Sequence, residues 1–180
     1  DNAQLCEKHP DIAFSMLFLS CLQEWIDQES VHTEQFIASR RETNELYAMT
    51  FYEATLAETK IKQGNVDQAS SMLKTGIAWC HKTGETIALS TLHRMQAKAY
   101  LASTSHSSDD VVDELNSAIT IAKQQGSIAL ELDATVDLCR HQHSIGNRKE
   151  VITLLPPLIK KFTEGFDTKV YLEAEQLIST

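Results

Sequence analysis

The chain has 180 residues, 42% of them hydrophobic, and 25 acidic against 16 basic side chains give a formal net charge of −9. That length allows one domain with a sizeable core, and the apolar share excludes a disordered chain. The acidic balance speaks against nucleic acid as a partner, because phosphate binding relies on clustered Lys and Arg.

Six Gly and three Pro are too few for a many-turned β-sandwich and suit long helices joined by tight turns. No run approaches the roughly 18 apolar residues that a membrane span needs. Ile12 through Leu19 lacks a basic flank or a small-residue cleavage site, so it reads as a buried helix. The abrupt opening at Asp1, without an initiator Met, suggests a piece of a larger protein. Cys6, Cys21, Cys80 and Cys139 lie far apart in apolar helical contexts, with no Cys-x-x-Cys. They read as free thiols in a reducing, cytoplasmic compartment.

In chain order, the spacing of apolar residues predicts helices near 10–23, 28–41, 43–63, 66–82, 85–102, 109–125, 127–144, 147–162 and 167–179. Val66, Ala69, Leu73, Ile77 and Cys80 follow a three-and-four spacing. So do Val111, Leu115, Ala118, Ile119 and Ala122, and then Ala129, Leu132, Val136 and Cys139. No segment offers an alternating β-branched strand. The polar loop from Ser103 to Ser108 is followed by Asp109 and Asp110, whose carboxylates suit a helix N-terminus. Pro156-Pro157 should bend or restart the helix around Leu155, because two backbone donors are missing. Trp25, Trp79 and Phe51 read as packing residues, Phe51 sharing a face with Tyr47 at i,i+4.

The turn signals repeat. Gln63-Gly64-Asn65-Val66 and Ile145-Gly146-Asn147-Arg148 share a Gly-Asn helix stop followed by a new helix start. Gly84 and Gly126, 42 residues apart, each precede an Ile-Ala-Leu helix start, and Gly165 follows 39 residues later. A period near 40 built from two helices is the signature of a solenoid. In the second helix of each pair, Ala69, Leu73 and Gly76 align with Val111, Leu115 and Ala118, and more loosely with Val151, Leu155 and Leu158. That small-large-small spacing resembles the tetratricopeptide repeat, with helices longer than its standard 34-residue unit. The expected fold is all-α: a tetratricopeptide-like right-handed superhelix of about four hairpins plus a final helix, forming one domain over residues 1–180.

A narrower resemblance lies in the last third. Ser127 to Ala134, Leu154-Leu155-Pro156-Pro157-Leu158 and Phe162-Thr163-Glu164-Gly165-Phe166-Asp167-Thr168 resemble the C-terminal helical-repeat region of large bacterial signalling proteins. Leu92-His93-Arg94 matches a short stretch of that family's preceding repeat. Those proteins carry a nucleotide-binding ATPase module and often a class III adenylate or guanylate cyclase or a winged-helix regulator. The family usually has one proline and an aromatic residue before the last motif, where this chain has two prolines and Lys160-Lys161. The resemblance covers most of residues 9–178. It implies a protein-interaction and regulatory region near a natural C-terminus, with the catalytic modules upstream.

Within the chain itself no reaction centre assembles. Cys139-x-His141-x-His143 puts only Cys139 and His143 on one helical face, and two ligands do not make a zinc site. Trp79-Cys80-His81 has no partner motif for nucleophilic catalysis. Glu131, Asp133 and Asp137 read as a solvated helical face. No Walker-type phosphate loop is present, and no cofactor or metal is expected. The candidate binding residues come from the repeat offsets. Glu58, Lys98 and Arg140 occupy equivalent positions on the first helices of successive pairs, and Arg94 lies one turn before Lys98. First helices line the inner surface of such arrays, so Arg94, Lys98 and Arg140 are expected to form a positive stripe able to hold an acidic peptide or a C-terminus. Other domains of the same protein are equally partners of this kind. Two alternatives stay open: a groove that senses a small effector, and a self-association or spacer element docking as a homodimer through Phe14 and Phe18.

Overall fold

The computed structural model describes Ile37 and residues 49–179, and those residues form seven α-helices. They are α1 (Met49–Lys62), α2 (Val66–Thr83), α3 (Leu89–Ala102), α4 (Ser108–Gln124), α5 (Ile128–Ser144), α6 (Arg148–Ile159) and α7 (Lys169–Ser179). Apart from Ile37, the expected first hairpin over 10–23 and 28–41 lies outside the described residues, as do Cys6, Phe14, Phe18, Cys21, Trp25 and Tyr47.

Turn chemistry sets the hairpins. At Gly64 and Gly146 the backbone takes the left-handed conformation, φ 83° and 84°, which side chains with a Cβ adopt at a cost. Asn65 N then donates to Lys60 O at 2.8 Å and Asn147 N to Gln142 O at 2.9 Å, each with a shorter-range bond from the glycine N–H. This arrangement satisfies the last carbonyls of α1 and α5 and reverses the chain within a few residues. At the start of α4, Ser107 and Asp110 close a capping box, each side chain accepting from the other's backbone N–H.

Packing follows from the small-large-small pattern. Leu73, Leu92, Leu115, Leu132 and Leu155, one on each of α2 to α6, are fully buried. Each contributes about 1.5–3 kcal/mol of apolar burial. Between them sit alanines and Gly76, where a Cβ would stand 3.3 Å from Leu92 Cδ2 and 2.8 Å from Glu53 Oε2. The side chain of Phe51 packs against this core, whereas Trp79 is only half-buried, with Lys82 Nζ 5.8 Å from its ring centroid.

The contacts are those of stacked hairpins. Each first helix (α1, α3, α5, α7) touches its neighbours in that row, and α2, α4 and α6 wedge between successive first helices. Among the described residues, α2, α4 and α6 do not touch one another. The array is thus tighter along the row of first helices, which places its concave side there.

Two local expectations change. Helix α3 begins at Leu89 rather than 85: residues 86–88 form a turn closed by Leu89 N to Thr86 O at 3.1 Å. Glu85 is held outside the helix by Thr50 Oγ1, which donates to its carboxylate. Nor do the prolines restart a helix at Leu155, because α6 runs through both and ends at Ile159. The carbonyls left without a donor belong to Ile152 and Thr153, both exposed, so solvent can reach them.

Candidate functional site

The row of first helices presents one continuous face. Glu58 comes from α1, Arg94 and Lys98 from α3, Asp133, Asp137 and Arg140 from α5, and Glu173 from α7. The repeat brings the four expected residues onto this face together, and it adds three carboxylates: Asp133 and Asp137, expected on a solvated face, and Glu173.

Arg94 holds two acids of the next hairpin. Its Nε donates to Asp137 Oδ2 at 2.6 Å and its Nη1 to Asp133 Oδ2 at 3.1 Å. Arg140 donates from Nη1 to Asp137 Oδ1 at 2.5 Å. It also reaches forward to Glu173 Oε1 on α7, at 2.7 Å from Nε and 2.6 Å from Nη2. Lys98 Nζ lies 3.7 Å from Glu58 Oε1, and Lys62 reaches the same oxygen at 3.9 Å. An ion-pair ladder therefore runs from α1 to α7 across every first helix.

Electrostatics follow from burial. The Asp137 side chain is only 4% exposed. Burial opposes its ionisation, but the charges of Arg94 and Lys98 and hydrogen bonds from both arginines outweigh that and hold its carboxyl below the usual range. Asp133 shares Arg94 at the longer distance, and burial pushes its carboxyl up despite the guanidinium. The direction differs because Asp137 has two short charged partners and Asp133 one longer one. Burial also lowers Lys98, reinforced by repulsion from Arg94 one turn away.

In this geometry the cations of the expected positive stripe alternate with carboxylates. Arg94, Lys98 and Arg140 each pair with a carboxylate on a neighbouring first helix, and with Lys62 on Glu58 four cations meet four acids, which leaves the face without positive excess. The expectation of a solvated face fails for Glu131 and Asp137, while Asp133 stays partly exposed. Asp137 and Glu131 are buried, and Glu131 sits between Lys123 at 3.8 Å and Lys161 at 3.6 Å. The sequence did hold the signal: Arg94 precedes Asp133 and Asp137 by about one repeat, so opposite charges meet across the row.

The other candidates separate. Cys139 is fully buried and its thiol is pushed up to about 12 by burial, while His141 Nε2 lies 2.8 Å from Ser108 Oγ and His143 is exposed. Cys80 is likewise buried, its thiol raised to about 11 by burial and by Glu85 and Glu53. Among the described residues, no group of three His, Cys, Asp or Glu side chains is placed to hold a metal ion, and no helix is long and apolar enough to cross a membrane.

No family model and no curated protein matches the sequence. Among solved structures, the chain is similar to a Podosopora anserina protein named for kinesin light chain and built of nearly identical TPR-like repeats. The two share 21% identity over 96% of this chain and 85% of that one, with a TM-score of 0.66. At that identity the likeness establishes the fold: an all-α, tetratricopeptide-like solenoid.

Proposed function

We propose, from the premise of a tetratricopeptide-like solenoid, that the 180-residue chain is a single non-catalytic repeat domain for protein interaction, docking a partner on its concave face. Arrays of this fold present large rigid surfaces, and function resides in the side chains placed there. The observation that carries the reading is the alignment of Glu58, Lys98 and Arg140 on successive first helices, with Arg94 beside them, in one ladder of opposite charges. A partner segment rich in carboxylates enters by exchange. Lys98 is held to Glu58 only loosely, at 3.7 Å, and Arg140 is half-exposed, so Lys98 and Arg140 are the first cations to accept new acids.

By the resemblance of its last third, the domain belongs in a cytoplasmic signalling protein of bacterial type. There it couples partner binding to an upstream ATPase and to a cyclase or DNA-binding output. Size-exclusion chromatography with light scattering tests this on the chain with and without such an upstream region. A monomer that forms a defined complex, lost in Lys98→Glu with Arg140→Glu while helical content is retained, supports the reading. A chain that dimerises alone, or a complex indifferent to the double reversal, overturns it.

A further inference from the structure

A cleft of about 300 Å³ opens away from the ladder, between the first three turns of α2, the end of α3 and the α3–α4 loop. Its polar lining is Asp67, Ser70, Ser71 and Lys74 from α2, with Ser103 and His106 from the α3 end and the loop. None of these side chains belongs to the ion-pair ladder.

Three features of the lining leave polar capacity unused. Lys74 makes no ion pair among the described residues, and its ammonium lies 5.5 Å from the Tyr100 ring centroid. His106 stacks on that same ring, 3.8 Å between centroids and 17° between planes, yet its buried Nδ1 has no hydrogen-bond partner. Gln96, fully buried, donates to Ser70 Oγ at 2.7 Å, which leaves the Ser70 hydroxyl proton free to donate into the cleft. Asp67 likewise has no cationic partner among the described residues, so the cleft carries one cation and one anion that do not meet.

Their spacing sets the reach that a ligand touching both would need. Asp67 and Lys74 are seven residues apart on one face of α2, about 10 Å along the axis. Helical side chains lean toward the N-terminus, so the Lys74 ammonium reaches back and shortens that gap. We propose that this cleft binds a small linear zwitterion, with its carboxylate on Lys74 and its ammonium on Asp67. The serine hydroxyls and His106 Nδ1 supply hydrogen bonds along its length. A cleft of this volume lies at the small end of ligand sites, which suits a short chain of methylenes between the two charges.

The test is calorimetric titration of the full chain with 6-aminohexanoate, alongside hexanoate, hexylamine and glycine. Saturable binding of 6-aminohexanoate is expected, with each comparison compound weaker by about tenfold or more, because each lacks one charge or the reach to span both. Lys74→Met and Asp67→Asn alter exposed positions and should each weaken binding by about tenfold with the helical spectrum unchanged. Amide shifts should concentrate at the start of α2 and in residues 103–107. No saturable binding up to about 10 mM, equal binding of hexanoate, or shifts confined to the ladder would each overturn the proposal.

Discussion

Replacing Arg94 with Met removes the central rung of the ladder while keeping most of its apolar stem. Two charge-assisted hydrogen bonds disappear, to Asp137 at 2.6 Å and to Asp133 at 3.1 Å. Each is taken at about 1.5 kcal/mol, the low end of the range, because Arg94 and Asp133 keep 20% and 29% side-chain exposure. The expected loss at pH 7 is about 3 kcal/mol, the scale of breaking a buried pair and stranding one carboxylate. Urea unfolding followed by circular dichroism should show a midpoint about 1–2 M lower.

The pH dependence sharpens the test. Asp137 has a depressed carboxyl, so its stabilisation is present above the unfolded value near 3.9 and is lost as pH falls through the folded value. Asp133, pushed up by burial, works in the opposite sense, and its protonation relieves a cost. Without Arg94 both acids lose their main counter-charge, so the gap between variant and wild type should close as both carboxyls protonate. A loss under about 0.5 kcal/mol at pH 7, or the same loss at acid pH, would refute the reasoning.

Gly76→Ala gains about 1 kcal/mol of helix propensity. It should still destabilise by about 1 kcal/mol net, because its Cβ meets buried Glu53 and Leu92 atoms and overpacking outweighs the gain; thermal unfolding decides the sign. Ser107→Ala removes the capping box and should cost about 1 kcal/mol, read as faster amide exchange in the first turn of α4. Iodoacetamide at mild alkaline pH, with peptide mapping, should leave Cys80 and Cys139 unlabelled in the folded chain and label both in urea, because burial keeps them as thiols.

The fold was legible because each of its rules is local. Gly64-Asn65 and Gly146-Asn147 mark the hairpin turns by their own backbone requirements, and Ala69, Leu73 and Gly76 mark a helix contact by size alone. The start of α3 was not, since Glu85 is drawn out of the helix by Thr50, a residue 35 positions away. Pro156 and Pro157 misled because their cost depends on whether the unpaired carbonyls reach water, which requires knowing the outer side of α6. The candidate face was half legible. Repeat offsets aligned Glu58, Lys98 and Arg140, but reading one helix at a time left Asp133 and Asp137 in solvent. Only the stacking of α3 on α5 turns them into partners of Arg94.

Each described helix touches others no more than two places away along the chain. No contact therefore asks the polymer to close a long loop, and every added hairpin meets a similar entropic toll. Under tension such an array behaves as a spring of discrete coils rather than as one brittle globule. A hairpin of roughly 40 residues would be released at each step, lengthening the chain by about 130–140 Å before its neighbour gives way. Relaxed, it would recoil from whichever hairpin re-forms first, since any of them can seed the rest.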